Sequence, residues 1–369
     1  MKEGWNIRNF EKCLVKVPKQ KSIKSKNYLQ FGSFPIISQE SIIVSGYSND
    51  ETLLYKHNKP VVIFGDHTKN IKYIDFDFIV GADGVHILLT KDDILPKFFY
   101  YELCSINIRN LGYARHYKLL KEKNIMYPTS LSDQQRIVSY LDAEFAKIEA
   151  LKANAEKQLQ AAKDLFQAAL KELLTPKEGW VEKKLGDLSL YYNGLTYKPS
   201  DVSKQGFLVL RSSNIQNNKL SLEDQVRVSV VVNDKLKIHK GDIIMCSRNG
   251  SKALIGKVAI IPEEYEDLTF GTFMMVIKSK FNPFLYYFFL SERFKGQIWK
   301  GEANMINQIT RYMLDDVFVC LPTNIDEQHR IVARLDALSA NVKALQTNYT
   351  ETITLCNDLK QALLKKVFE

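Results

Sequence analysis

The sequence predicts an α+β protein of two globular mixed α/β heads in tandem, each followed by a long α-helix. The two helices are expected to pair as an antiparallel coiled coil with pseudo-twofold symmetry. Three observations predict this. PTSLSDQQRIVSYL at 128–141 returns as PTNIDEQHRIVARL at 322–335, 194 residues later, and from 134 to 174 that register keeps 17 of 41 positions identical. The opening Lys2-Glu3-Gly4-Trp5 returns as Lys177-Glu178-Gly179-Trp180. Residues 131–174 hold no Gly or Pro and are rich in strong helix formers. The implied organisation is a head at 1–130, a helical spacer at 131–176, a second head at 177–322 and a second spacer at 323–369.

Each head reads as short strands broken by Gly, Asn and Asp. In the first, KPVVIFGD (59–66) and YIDFDFIVGADGVHILLT (73–90) precede the aromatic stretch PKFFYYEL (96–103). The second runs KGDIIMCS (240–247), LIGKVAIIP (254–262), TFGTFMMVIKSK (269–280) and PFLYYFFLS (283–291). The likeness of the two aromatic stretches suggests one fold used twice. Their spacing reads as helix core rather than a base-stacking platform.

The first helix is expected to start at an N-cap on Ser132, with Gln135 completing a capping-box spacing, and the second at Asp326 with His329 in that third place. Pro176 closes the first helix. In the second helix Ile331, Leu335, Leu338, Val342, Leu345, Tyr349, Thr352, Cys356, Leu359 and Leu363 alternate at spacings of four and three, a heptad seam. The first helix carries half of that seam at Leu141, Ile148, Ala155, Ala162 and Ala169. Antiparallel pairing would set Ala155 against Tyr349, Ala162 against Val342, Ala169 against Leu335 and Ile148 against Cys356. The competing arrangement packs each helix on its own head. A helix of this length rises roughly 60 Å, more than a small head is wide, and so acts as a spacer.

The net charge of +9 is unevenly placed. Residues 131–176 carry six basic and seven acidic side chains, and 323–369 carry six of each. The heads hold the excess, 19 against 13 in 1–130 and 20 against 16 in 177–322. Basic heads on neutral helices point to a polyanion for the heads and protein for the helices.

Side chains suited to reading bases or holding phosphates cluster in the loops that differ between heads. In the first head these are Lys19 and Lys21 of a basic run, Ser38, Gln39 and Ser41, Tyr47, the loop of His67, Thr68 and Lys69, and Arg115, His116 and Tyr117. In the second they are Arg211, Ser213 and Asn214, the loop of Arg248, Asn249, Ser251 and Lys252, and Asn307, Gln308, Thr310 and Arg311. About half are expected to be solvated loop residues with no partner.

No catalytic pattern emerges. GSKALIGKV (250–258) has the wrong glycine spacing for a phosphate loop and Val258 where Ser or Thr must follow the lysine. NPF at 282–284 lacks the second proline of an adenine methyltransferase motif, and no glycine-rich cofactor loop supports it. Five scattered cysteines form no CxxC, which argues against a disulfide framework or a zinc site. With no apolar stretch long enough to cross a bilayer and no signal-peptide core, a cytoplasmic protein is expected.

Two basic heads, each followed by a helix opened by P-x-x-x-x-[DE]-Q-x-R-I-V, resemble the specificity subunit of type I restriction-modification systems. The resemblance covers the whole chain. It is carried by the two helix starts, the Gly-Trp openings, and GADGVHILLTKDDILP with RHYKLLKEKNIMYP in the first head. Ser132-Asp133 in place of the usual acidic pair, and His329 inside the second motif, are its departures. The resemblance implies a non-catalytic subunit whose heads each read one half of a split, asymmetric site in double-stranded DNA. It implies two modification subunits and restriction subunits as partners, with S-adenosylmethionine, ATP and Mg on those partners and no cofactor or metal on this chain. Alternatives are the recognition module of a single-chain restriction-methylation enzyme, which would need a methyltransferase domain, and a coiled-coil adaptor whose heads bind protein.

Overall fold

A computed structural model describes residues 3–82, 84–112, 114–299 and 308–369. The chain divides into two compact units, Met1–Glu156 with Thr350–Glu369, and Lys157–Tyr349. Each unit holds one head and a two-helix segment.

The first head is closed by its own ends. Strand Trp5–Asn9 pairs antiparallel with Asn124–Pro128, setting Trp5 opposite Pro128. Between them lie two four-stranded sheets. One runs in the order Leu14–Val15, Val85–Thr90, Val61–Gly65, Ile71–Ile74. The other runs Gly46–Ser48, Phe34–Ile37, Phe78–Val80, Leu54–Tyr55, with Ile36 parallel to Ile79. The aromatic stretch forms helix Pro96–Ser105, with proline in its first turn, where no amide partner is lost. Phe98, Phe99, Tyr101 and Leu103 of that helix are buried in one core.

The second head repeats the plan. Trp180–Lys184 pairs with Phe318–Pro322, setting Trp180 opposite Pro322. One sheet runs Leu190–Asn193, Met274–Lys278, Ile243–Cys246, Val258–Ile260, and a parallel pair again occurs in the other, with Leu208 beside Leu268. Helix Asn282–Leu290 buries nearly every side chain. Its Asn282 amide donates to the carbonyls of Gly241 and Ile277, so the NPF asparagine closes a turn.

The long helices span Leu131–Leu173 and Ile325–Phe368. Both are capped two residues before the expected caps, at Ser130 and Asn324. The Ser130 hydroxyl accepts from the Asp133 N–H at 3.4 Å and Asn324 Oδ1 from the Asp326 N–H at 2.8 Å. Pro128 and Pro322 end paired strands, so the turn into each helix must begin two residues later.

Within the first unit the helices run antiparallel. Lys152 Nζ donates to Asn357 Oδ1 at 3.2 Å and Lys360 pairs with Glu149, so one helix descends as the other climbs. Leu141, Ile148, Ala155, Ala162, Leu335, Val342 and Cys356 are buried. Ala169, Tyr349 and Leu363 are half-buried, while Leu345 and Leu359 are exposed, which corrects the seam at Leu345 and Leu359. Burial passes instead to Leu170 and Leu173 in the first helix, with Leu174 just after it, and to Leu364 and Phe368 in the second. A strict seven-residue repeat drifts about 20° per heptad around a straight helix, and both C-terminal ends are gripped by a head core. Leu170 joins the cluster of Phe284, Tyr287 and Phe288, and Phe368 meets Phe98 with ring centroids 5.4 Å apart. No helix among the described residues is long and apolar enough to cross a membrane.

Candidate nucleic-acid interface

In the first head the segment after Val15 leaves its neighbouring strand, since only Leu14 and Val15 pair with Thr90 and Leu89. An open cleft of about 990 Å³ results, lined among others by Lys16, Lys19, His67, His86, Arg115 and Tyr117. The strand end at Gly65 brings His67 there, and Arg115 arrives from the chain before helix Tyr117–Lys121. Of the predicted residues, Lys19, His67, Arg115 and Tyr117 thus share one wall system.

The others separate. Lys21 and Ser41 are exposed, while Tyr47 is half-buried in a strand, its backbone paired with Leu29. Gln39 is a brace: its Oε1 accepts from the His67 N–H at 3.1 Å, and its carbonyl accepts from Thr68 and Asn70. Ser38 is buried against Ser45. Lys69, at φ 63°, closes the turn back to the Gly65 carbonyl. His116 is fully buried, its Nδ1 donating to the Asp66 carbonyl at 2.9 Å and its Nε2 accepting from the Leu111 N–H at 3.0 Å. Both ring nitrogens are consumed by the fold, so His116 does not face a ligand.

The sequence reading missed Asp66, His86 and Lys72. Asp66 is buried, and burial works against its carboxylate, but the Tyr117 N–H at 2.8 Å and His86 outweigh this and hold it below the ordinary range. Lys72 is 3% exposed, its ammonium donating to the carbonyls of Ser38 at 2.8 Å and Ile42 at 2.5 Å. It pins the loop that carries Gln39 and Ser41, and burial lowers its pKa. Its sequence signal was a charge in phase with Ile74 on the buried face of strand Ile71–Ile74.

The second head gathers its candidates at the equivalent edge. The Ile309 N–H donates to the Ser247 carbonyl, and Arg248 bridges Gln308, so these two loops lie side by side. The Arg248 guanidinium stands 5.7 Å from the centre of the Phe273 ring, a side chain 53% exposed that the sequence reading passed over. Asn249 Nδ2 reaches Ser212 Oγ at 3.1 Å, tying in the turn of Arg211 and Ser213. Ser251 and Lys252 are exposed on the same loop, and Arg311 is exposed one residue after Thr310, which caps helix Arg311–Asp315. Three candidates are spent internally. Asn214 is buried, its amide holding the carbonyls of Ser221 and Asp224. Arg211 pairs with Asp224 at 2.5 Å, and Ser213 with the same carboxylate holds it below its ordinary range. Asn307 lies outside the described residues. Among the described residues no group of three or more His, Cys, Asp or Glu could hold a metal ion.

The family model described as the type I restriction modification DNA specificity domain matches this chain twice, over residues 3–161 and 177–355. The chain belongs to that family. Among characterised members, the EcoR124I/EcoR124II specificity subunit of Escherichia coli is 30% identical over 192 residues, 48% of this chain and 46% of that one. The EcoKI specificity subunit of Escherichia coli strain K12 is 29% identical over 196 residues, 51% and 42% of the two chains. Each match therefore spans under half the length of those specificity subunits. A solved chain from work on complex assembly and conformational transition of the type I R-M system shares the fold, with TM-score 0.72 at 19% identity over 100% of this chain and 98% of that one.

Proposed function

We propose that this chain is the DNA-recognition subunit of a type I restriction-modification complex. Each head reads one half of a split duplex site, and the paired helices set the gap between halves. The observation that carries this reading is the distribution of charge over the duplication. The repeated helices are near neutral while both heads are basic, +6 in 1–130 and +4 in 177–322. Each head also gathers cations at one edge: Lys16, Lys19 and Arg115 in the first, Arg248, Lys252 and Arg311 in the second. The loops around those cations differ in sequence, so the half-sites differ.

The helices are the partner surface. Leu151 and Leu359 are half exposed beside the Lys152–Asn357 contact, and 194 residues away in either direction Leu345 and Leu165 are exposed as well. Equivalent apolar patches, repeated once, suit two copies of one partner, the modification subunits. Restriction subunits complete the assembly. S-adenosylmethionine, ATP and Mg belong to those subunits, and the complex works in the cytoplasm.

Binding measured against salt tests the reading. Phosphate contacts release counterions, so affinity for a cognate duplex should fall steeply from low to physiological salt. A flat response sinks the proposal. Within it, Arg248→Ala should relax base preference in one half-site by roughly tenfold and leave the other unchanged. Equal loss on every sequence would make Arg248 a phosphate contact.

A further inference from the structure

His86 differs in kind from the cations that line the first cleft with it. Lys19 and Arg115 are long and exposed. His86 is locked: its imidazole lies face to face on the Tyr117 ring, centroids 3.8 Å apart and planes 9° from parallel. Its Nε2 faces Asp66 Oδ2 at 3.4 Å. Asp66 is itself fixed, its N–H donating to the Gly84 carbonyl at 2.7 Å and its Oδ1 accepting from the Tyr117 N–H at 2.8 Å. A third of the His86 side chain stays exposed, and it lines the cleft. Flexible cations suit phosphates, which tolerate small displacements. A planar ring fixed by its stack on Tyr117, with Nε2 facing a carboxylate, suits a base edge, which does not.

We propose that His86 is a specificity-determining residue of the first half-site, its Nδ1 accepting a hydrogen bond from the exocyclic amine of an adenine or cytosine while Nε2–H is directed at Asp66. This rests on the heads being DNA readers. The charged and titratable groups around the ring are Asp66, Tyr117, Lys121 and Arg115, with His67 acting on Asp66. Burial outweighs the pull of Asp66 and keeps the imidazole below the usual histidine range, which leaves Nδ1 a lone pair at neutral pH.

Selection from duplexes randomised over both half-sites, with the full chain and its His86→Phe variant, tests the assignment. Phenylalanine keeps the stack on Tyr117 and removes both nitrogens. The expected result is that one position of the first half-site loses about tenfold of its preference, while its other positions and the whole second half-site keep theirs. Unchanged preference at every position overturns the role of His86. A wild-type chain that enriches no sequence sinks the DNA reading itself, a different outcome. Nitrogen NMR of the wild type covers a variant that fails to fold: the Nδ1 resonance should shift on adding the selected duplex. No shift overturns the assignment.

Discussion

Gln134 donates from Nε2 to the Pro128 carbonyl at 2.8 Å, and Gln328, 194 residues later, donates to the Pro322 carbonyl at 2.7 Å. Both glutamines are buried. Gln134 also accepts from the Leu95 N–H at 2.8 Å and donates to the Asp93 carbonyl at 2.9 Å, so one side chain welds strand end, helix start and the loop into the aromatic helix. This is the physical content of the repeated Gln-x-Arg-Ile-Val motif.

Gln134→Leu should therefore be among the costliest single changes in the first unit. It strands three backbone groups, each worth about 1–3 kcal/mol when buried without a partner. Urea unfolding should show a loss of at least about 3 kcal/mol, with Gln134→Glu intermediate, since it keeps an acceptor for Leu95 and loses both donors. A loss under 1 kcal/mol for the leucine variant would mean that water replaces the amide.

The helices, the duplication and the aromatic core were legible because they rest on period and identity, which a single sequence displays. Tyr101 and Tyr287, from the two aromatic stretches, each donate to an aspartate, Asp142 and Asp336, placed 194 residues apart on the helices. The site was legible only in part. Lys19, His67 and Arg115 gather in the first head and Arg248 and Gln308 in the second, as their residue types suggest, yet His116, Asn214 and Gln39 are of equally suitable types and brace the fold. Residue type states what a side chain can bond, and only the fold decides whether backbone has already claimed it. His86 was hidden for the converse reason, sitting in a strand whose alternation read as sheet.

Where seam and burial part, mutation should follow burial. Leu170 is fully buried against the second aromatic helix while its heptad neighbour Ala169 is half-buried. Leu170→Ala should cost about 2–5 kcal/mol, and Ala169→Ser under about 1 kcal/mol, by thermal or urea unfolding. Comparable losses at the two positions would show that Ala169 packs as deeply as Leu170.

Acidification should act on the first head through His86. Its pKa is depressed by burial, so the stabilisation it represents is present above the ordinary value of 6.5 and is lost as pH falls through the lower folded value. An NMR titration should place the His86 midpoint below 6.5. Asp66 raises that midpoint, so Asp66→Asn should lower it further. A midpoint at or above 6.5 in the wild type would show that burial does not dominate the ring, and a rise in the variant that Asp66 does not stabilise its charged form.

If the helices set the gap, as proposed, helix length should set the spacer. Seven residues added to each long helix preserve the heptad phase of both and add about 10.5 Å of rise, or roughly three base pairs of duplex at 3.4 Å per step. Methylated-base mapping of the assembled complex should then return both half-sites unchanged with a spacer about three base pairs longer. Adding three or four residues breaks the phase and should reduce binding at every spacer. If the seven-residue insertion instead altered a half-site, or left the spacer as it was, the heads rather than the helices would fix the gap.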